Sequence, residues 1–244
     1  MGTYLHAADK VLSRDVWFAN LPEDMKTAVL SMAIIQNVKA GQRIFSRGDS
    51  TSGVYGLIEG AIMVMNEVEP GQDGALVHLA PPTWFGEVGL FDGLCRTHNV
   101  ETVQDSTLLL LPLGPLSRLL DEHPAYWKHF ALLLTQKLRL AFMALDELAK
   151  VPVETRLARR LVMMSIGLTP DRIRDVIEVH QEQLAQMMGI SRTAVNAILR
   201  DLRKKGILSL AYGRIRILDM DRLKVIAGFE HWLPTVPFRP PVQS

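Results

Sequence analysis

The stretch HQEQLAQMMGISRTAVNAILRDLRKKGIL, residues 180–208, decides how the second half of the chain folds. Apolar residues recur in it at helical spacing on both sides of Gly189, which predicts two short helices joined by a tight turn. Ser191 is expected to cap the second helix with its side-chain oxygen. The residues expected to face the core are Leu184, Ala185 and Met188 in the first helix and Val195, Ile198 and Leu202 in the second.

The outward face of the second helix predicts contact with DNA. In a helix-turn-helix motif the first helix crosses the DNA backbone and the second lies in the major groove. Arginine and asparagine make bidentate hydrogen bonds with guanine and adenine there, and Arg203, Lys204 and Lys205 at the far end suit phosphate as well as the helix dipole. The candidate DNA-binding residues are polar and lie on or beside this helix: Gln181, Ser191, Arg192, Thr193, Asn196, Arg200 and Lys204.

A predicted hairpin and a local excess of positive charge favour DNA binding over a helix pair with a merely solvated basic face. The segments 207–210 and 214–219 flank the turn Ala211-Tyr212-Gly213, which predicts a hairpin, and a short strand is expected at about 174–178. Residues 155–216 carry twelve cationic and five anionic side chains, a net charge of +7, whereas the whole chain carries +1. A helix-turn-helix followed by a hairpin is the winged form, and this charge suits a phosphate-binding surface.

The first half of the chain has the pattern of an all-β domain. A helix is expected at about 21–33, after a cap at Asn20. Beyond it, short segments rich in branched residues alternate with turn sequences such as RGDS at 47–50 and PGQDG at 70–74. These segments are VYGLIEG, AIMVMNEV, ALVHLA, HNVETV and STLLLLP. The pattern predicts a jelly roll or a similar barrel.

A long helix is predicted over about 124–148, and its apolar pattern indicates a homodimer through the 126–148 helix. The apolar residues alternate at spacings of three and four, as in a coiled-coil seam: Ala131, Leu134, Leu138, Ala141, Leu145 and Leu148. A helix buried on its own domain would show the same period, so that alternative stays open. Pro152 blocks continuation, which predicts a hinge at residues 150–153 and a further helix over about 153–165.

Composition narrows the class of protein further. The chain has one cysteine, Cys95, which excludes an intrachain disulfide framework and a zinc knuckle. The N-terminus lacks the pattern of a signal peptide, and no apolar stretch is long and uncharged enough to span a bilayer. The sequence therefore predicts a cytoplasmic protein without membrane contact.

The order of these parts resembles the CRP/FNR family of bacterial transcription regulators, from about residue 15 to residue 220. The segment FGEVGLFDGLCRTH, residues 85–98, is similar to the phosphate-binding cassette of that family. The resemblance implies an α+β fold with an N-terminal β-jelly-roll of the cyclic-nucleotide-binding type, a long dimerisation helix and a C-terminal winged helix-turn-helix domain. The expected segments are a β-barrel sensor domain at 1–123, the helix and hinge at 124–150, the DNA-binding domain at 151–230 and a proline-rich tail at 231–244.

The resemblance also implies a function. It implies a homodimeric transcription regulator, not an enzyme, that binds pseudo-palindromic double-stranded operator DNA, with RNA polymerase as a further candidate partner and a cyclic nucleotide as the candidate ligand. Arg96 would pair with the phosphate, Thr97 would add a hydroxyl, and Glu87 would accept from a sugar hydroxyl. Gly86 would allow close approach. The candidate ligand-binding residues are Gly86, Glu87, Val88, Arg96, Thr97 and Phe142, with no catalytic or metal residues.

Several residues depart from the family pattern. His98 stands where the family has a small alanine, and Ala141 and Phe142 stand where the cyclic-AMP-responsive relatives have a polar pair that contacts adenine. Thr193 and Ala197 replace a glutamate and a second arginine of the recognition helix, so the preferred base sequence should differ from that of the best-known relatives.

These departures leave alternatives open. The first is a ligand-independent regulator whose barrel binds nothing, with Glu87 and Arg96 paired to each other. A haem site at Cys95 and His98 is a weaker alternative, because a lone cysteine is more often a small buried apolar residue. A cupin-like metalloenzyme is the alternative from a different class, although the barrel holds only His78 and His98 as histidine ligands.

Overall fold

The structure, a computed structural model, describes residues 8–69, 72–166 and 175–229. The chain divides into two compact units, one of residues 1–73 and 77–143 and the other of residues 74–76 and 144–244. The predicted tail at 231–244 and the predicted helix end near Gly167 and Pro170 lie outside the described residues.

The first unit begins with three short helical segments. They are α1 over residues 8–12, α2 at Val16–Ala19 and α3 at Glu23–Met32. The prediction of a cap at Asn20 is wrong, because the side-chain amide of Asn20 donates to the carbonyl of Val16 and ends α2. The helix α3 starts after Pro22, whose fixed φ suits the entry to a helix.

Six strands form the sheet of the first unit. They are β1 (Ile34–Val38), β2 (Arg43–Phe45), β3 (Gly53–Glu69), β4 (Gln72–Leu79), β5 (Thr83–Phe85) and β6 (Asn99–Pro112). The order is β1-β6-β3-β4, with β2 paired to β6 and β5 paired to β3. A short helix, α4 (Val88–Asp92), lies between β5 and β6. The sheet-rich fold confirms the predicted class.

The strands β3 and β6 are longer than predicted, because each joins two of the predicted segments. Their pairing shifts register around Gly60, which has a φ of +93°. A glycine in this conformation lets an antiparallel pair continue through a bulge. Glycine therefore marks an irregularity inside β3 instead of a turn between two strands.

Helices cover the barrel and lead out of the first unit. After α5 (Leu113–Glu122) and a 3-10 turn (Pro124–Tyr126), the long helix α6 (Trp127–Lys150) packs its first two turns on the core. Phe130 of α6 is fully buried, and the indole N–H of Trp17 donates to the carbonyl of His129 at 2.6 Å. The start of α6 is thereby anchored to the barrel.

The second unit has the predicted winged helix-turn-helix order. Its elements are α7 (Val153–Ile166), β7 (Val176–Glu178), α8 (Gln181–Met188), α9 (Arg192–Lys204), β8 (Leu208–Ala211), β9 (Arg214–Ile217) and α10 (Met220–Ala227). The strands form a sheet in the order β7-β9-β8. Ala211 is paired with Arg214, so the hairpin turn contains only Tyr212 and Gly213, one residue fewer than predicted. The helix α10, which Asp219 caps, was not predicted.

Candidate nucleic-acid interface and ligand site

The turn between α8 and α9 forms through local interactions. Gly189 takes a φ of +63°, and its N–H donates to the carbonyls of the last turn of α8. The hydroxyl of Ser191 accepts from the N–H of Ala194 at 3.2 Å, as the predicted cap requires. These contacts explain why α9 starts at Arg192.

The buried face of this motif largely matches the prediction. Leu184, Ala185, Met188, Val195 and Leu202 are buried. The assignment of Ile198 to the core is wrong in detail, because Leu199 is fully buried and Ile198 is half-buried. Leu199 lies four residues after Val195 and three before Leu202, so it is at the centre of the apolar stripe.

The opposite face of α9 presents polar side chains. Arg192, Thr193 and Arg200 are exposed, whereas Asn196 is half-buried. Gln181, the first residue of α8, is also half-buried. This face therefore offers two guanidinium groups, a hydroxyl and an amide to a partner.

The cations at the end of α9 differ in their surroundings. Arg203 and Lys204 are exposed, and neither has a carboxylate partner among the described residues. The ammonium of Lys205 lies 2.6 Å from Asp201 and 3.2 Å from Glu154, and these contacts raise the pKa of Lys205. Lys204 is therefore the better candidate for a phosphate contact than Lys205.

In the first unit, Arg96 is the centre of the predicted cassette, and its guanidinium points into the protein. It donates to the carbonyls of Gly86 at 2.6 Å and Gly53 at 2.8 Å, and to the hydroxyl of Ser52 at 3.1 Å. Its centre lies 4.2 Å from the centroid of the Phe45 ring. Nε is buried and has no hydrogen-bond partner in the described part of the chain.

Burial changes the electrostatics of Arg96 and explains the need for Gly86. Burial lowers the pKa of the guanidinium, and Tyr55 and Glu87 act in the opposite direction. Gly86 has a φ of +83°, and a Cβ added there would collide with Nη1 of Arg96. In this structure Gly86 leaves room for the side chain of Arg96. The sequence analysis had expected Gly86 to let a ligand approach the backbone closely.

Glu87 pairs with a residue that the sequence analysis missed. Its carboxylate lies 2.6 Å from the ammonium of Lys137 in α6, and the Glu87 side chain is only 2% exposed. Among the described residues Glu87 forms its ion pair with Lys137, and no ion pair joins it to Arg96. Lys137 continues, at spacings of three and four, the buried face formed by Phe130 and Leu133. That spacing was the available signal for a lysine directed at the barrel.

The remaining candidate ligand residues lie at the surface. Thr97 is exposed, and its hydroxyl lies 2.8 Å from Nδ1 of His98. Burial and the charge of Arg47 lower the pKa of His98. Val88 is 40% exposed and Phe142 is 57% exposed. The structure therefore brings together Gly86, Glu87 and Arg96, and among the described residues no hydrogen bond or cation–π contact joins Phe142 to them.

Two family models match separate parts of the chain. The model for the cyclic nucleotide-binding domain matches residues 35–123, and the model for the Crp-like helix-turn-helix domain matches residues 155–226. The chain belongs to the CRP/FNR family of transcription regulators. This CRP/FNR regulator thus combines both domains in the order that the sequence predicted.

Named relatives of this CRP/FNR regulator are transcription regulators. It is 23% identical over 218 residues to the CRP-like cAMP-activated global transcriptional regulator of Mycobacterium tuberculosis, covering 88% of this chain and 97% of that protein. It is 29% identical over 188 residues to the Cyclic AMP receptor protein of Thermus thermophilus, and the match covers 77% of this chain and 85% of that protein. A solved CRP/FNR-family regulator from Thermus thermophilus is 28% identical, with a TM-score of 0.64 over 80% of this chain and 98% of that one.

The described residues of this CRP/FNR regulator contain no group of three or more histidine, cysteine, aspartate or glutamate side chains that could hold a metal ion. Cys95 is exposed. Within residues 8–69, 72–166 and 175–229, no helix is both long and apolar enough to cross a membrane.

Proposed function

We propose that this CRP/FNR regulator is a homodimer that binds a pseudo-palindromic operator through α9, and that a phosphate-containing ligand at the Gly86–Glu87–Arg96 cassette gates this binding. The polar face of α9 carries the DNA-binding part. Arg192, Thr193 and Asn196 lie in the first turns of a helix that a buried apolar stripe holds against the domain. Side chains at those positions of a recognition helix reach base edges.

An exposed apolar stripe on α6 supports the homodimer. Leu138 is 51% exposed and Phe142 is 57% exposed, and Ala131 and Ala141 on the same helix are exposed as well. Apolar side chains at a coiled-coil period gain free energy when a second helix covers them. A second copy of α6 would cover them by two-fold symmetry, and two copies of α9 could then enter successive major grooves about 34 Å apart.

The unsatisfied donor of Arg96 supports the ligand-binding part. A buried N–H without a partner costs about 1–3 kcal/mol, so the chain retains a donor that a phosphate oxygen would satisfy. A phosphate would also carry a full negative charge and could accept two parallel N–H bonds from the guanidinium, which a neutral carbonyl cannot do. A sugar hydroxyl would likewise compete with Lys137 for Glu87. Ligand binding would therefore replace contacts that Arg96 and Glu87 make within the protein by contacts with the ligand.

The side chains around the cassette argue against cyclic AMP as the specific ligand. Ala141 and Phe142 offer no side-chain hydrogen bond to adenine, and His98 adds bulk beside Thr97. Two relatives are named for cyclic AMP, but a site built to hydrogen-bond a base loses selectivity when those groups are absent. We therefore propose the phosphate class of ligand without the adenine preference.

Calorimetric titration of the full chain with cyclic AMP, cyclic GMP and cyclic di-GMP, with and without operator DNA, tests the gating. Arg96→Lys keeps the charge but loses the planar fork, and Arg43→Lys in β2 is the matched control. We expect heat for at least one nucleotide with the wild type and with Arg43→Lys, but not with Arg96→Lys. No heat for any nucleotide, together with tight operator binding by the ligand-free protein, would refute gating and leave the DNA-binding proposal intact.

Sedimentation velocity tests the homodimer. Leu138→Glu places a charge on the seam and should convert the dimer to monomer, whereas Arg139→Glu, one position off the seam, should leave the dimer intact. A wild-type protein that stays monomeric with operator DNA present would contradict the two-fold binding mode.

A further inference from the structure

We infer that His98 is a further ligand-binding residue of the cassette, and that its imidazolium form assists Thr97 in holding the phosphate group, so that the ligand is taken up together with a proton. This inference rests on the proposed ligand binding at the cassette. It adds a titratable side chain at a position where the family has alanine. The pH then becomes a second input to the response of this regulator to its ligand.

The hydrogen bond between His98 and Thr97 is the first observation. Nδ1 of His98 lies 2.8 Å from the hydroxyl oxygen of Thr97. If Nδ1 carries no hydrogen it can only accept, and the hydroxyl hydrogen then points at the ring instead of at a ligand. In the imidazolium form both ring nitrogens carry hydrogen, so Nδ1 donates to the hydroxyl oxygen. The cationic form of His98 therefore always leaves the Thr97 hydroxyl able to donate to a phosphate oxygen.

The surroundings of the half-buried His98 ring are the second observation. Arg47 lies in the turn after β2, and its backbone N–H donates to the side-chain oxygen of Asn99 at 2.8 Å. This bond holds the turn against the start of β6, next to His98. Burial and then the charge of Arg47 lower the pKa of His98. The ring therefore favours its neutral form while no anion is bound beside it.

The carboxylates around the cassette act on Arg96. Burial lowers the pKa of Arg96, and the charges of Glu87 and Asp49 oppose this effect. For His98, by contrast, the charged group that shifts the pKa in the described part of the chain is the cation of Arg47. A bound phosphate would supply the missing anion and offset the repulsion between Arg47 and the imidazolium. This electrostatic difference favours an anionic ligand group beside His98.

Thermodynamic linkage gives the direction of the pH effect. The pKa of His98 is lowered in the ligand-free protein, and an adjacent phosphate raises it because an anion favours the charged ring. The affinity for the ligand is therefore highest at a pH below the ligand-free pKa. It falls as the pH rises through the interval between the ligand-free and ligand-bound pKa values, and it is constant above that interval. Within the interval, each ligand binds with uptake of a fraction of a proton.

Calorimetry of the full chain tests this linkage, with whichever of cyclic AMP, cyclic GMP and cyclic di-GMP gives the largest heat. These phosphodiesters keep a constant charge near neutral pH, so any proton taken up is bound by the protein. Titrations in buffers of low and high ionisation enthalpy measure that uptake. His98→Gln keeps a polar side chain that cannot become charged, and its proton uptake should disappear. It should bind about tenfold more weakly than the wild type at about pH 6 and about equally at about pH 8, which also shows that the variant is folded.

His129→Gln is the matched control, because His129 is also half-buried with a pKa that burial lowers, but it lies in α6. It should keep the affinity, the pH dependence and the proton uptake of the wild type. Burial raises the pKa of Asp15 to about 6, and because Asp15 is present in both variants, its contribution is common to them. If the wild type binds a nucleotide without proton uptake, or if His98→Gln keeps the uptake, the inference is refuted and the proposed ligand binding stands. If no nucleotide gives heat, the proposed ligand binding fails and this inference fails with it.

Discussion

Replacing Lys137 tests the contact that ties α6 to the cassette. Lys137→Met keeps the length of the side chain and removes the ammonium group that lies 2.6 Å from Glu87. Breaking a fully buried ion pair costs about 3–5 kcal/mol, and breaking an exposed one costs about 1 kcal/mol or less. Glu87 is 2% exposed and Lys137 is 26% exposed, so we expect a loss of about 2–3 kcal/mol in the free energy of unfolding.

A double-mutant cycle separates the ion pair from packing effects. Glu87→Gln removes the charge while keeping the shape, and the double variant should be more stable than the sum of the two single effects predicts, by about 2 kcal/mol. The assay is urea unfolding followed by tryptophan fluorescence, since Trp17 and Trp84 are buried in the first unit. Protein concentration must be held constant, because the stability of a dimer depends on it.

The chain supplies its own control for this cycle. Lys39 and Asp105 also form an ion pair at 2.6 Å, but their side chains are 78% and 63% exposed. Lys39→Met should therefore leave the urea midpoint unchanged, because water and salt screen an exposed pair. A coupling below about 0.5 kcal/mol between Glu87 and Lys137, or an equal loss for Lys39→Met, would refute the reasoning.

The remaining predictions concern a buried carboxyl group and the charges of α9. Burial raises the pKa of Asp15 from the ordinary 3.8 to about 6, with backbone hydrogen bonds and Lys137 opposing it. The folded chain then holds this proton more tightly than the unfolded chain, so stability falls as the pH rises from about 4 to about 6, by at most about 3 kcal/mol. Asp15→Asn, which keeps an acceptor for the cap, should therefore raise the urea midpoint at pH 7 but not at pH 4, and equal effects at both pH values would contradict this. Arg192→Ala should cost about 1–3 kcal/mol of binding free energy and relax the preference at one base position. Competition with single-base variants of a duplex that the wild-type protein selects from a random-sequence library would show this. Lys204→Ala should weaken binding to the selected duplex and to random duplexes alike. Lys205→Ala should weaken neither, because Asp201 and Glu154 already neutralise that ammonium. A similar slope of log affinity against log salt concentration for the two lysine variants would contradict the distinction.

The sequence alone was sufficient for the helix-turn-helix and for the position of the cassette. The turn at Gly189, the cap at Ser191 and the apolar stripe of α9 depend on interactions within a few residues, which periodicity and residue type encode directly. The Gly-Glu and Arg-Thr pairs of residues 85–98 were found through their resemblance to the cassette of the CRP/FNR family, which is recognisable because these residues lie close together in the chain. Asn20 and Ile198 show the limit of this reasoning. Periodicity places an element, but it does not fix the residue at which the element begins or the side chain at its centre.

Only the tertiary structure decided which residues Glu87 and Arg96 of the cassette contact. Glu87 pairs with Lys137, 50 residues away, and Arg96 reaches Gly53 and Ser52, more than 40 residues away. A sequence shows that Glu87 and Arg96 are charged, but several oppositely charged or polar partners are chemically equivalent for each. Which of them is met depends on how α6 packs on the barrel and on how β3 approaches the segment after β5. Burial then makes the loss of that partner costly, because a charge removed from water requires a partner at hydrogen-bonding distance.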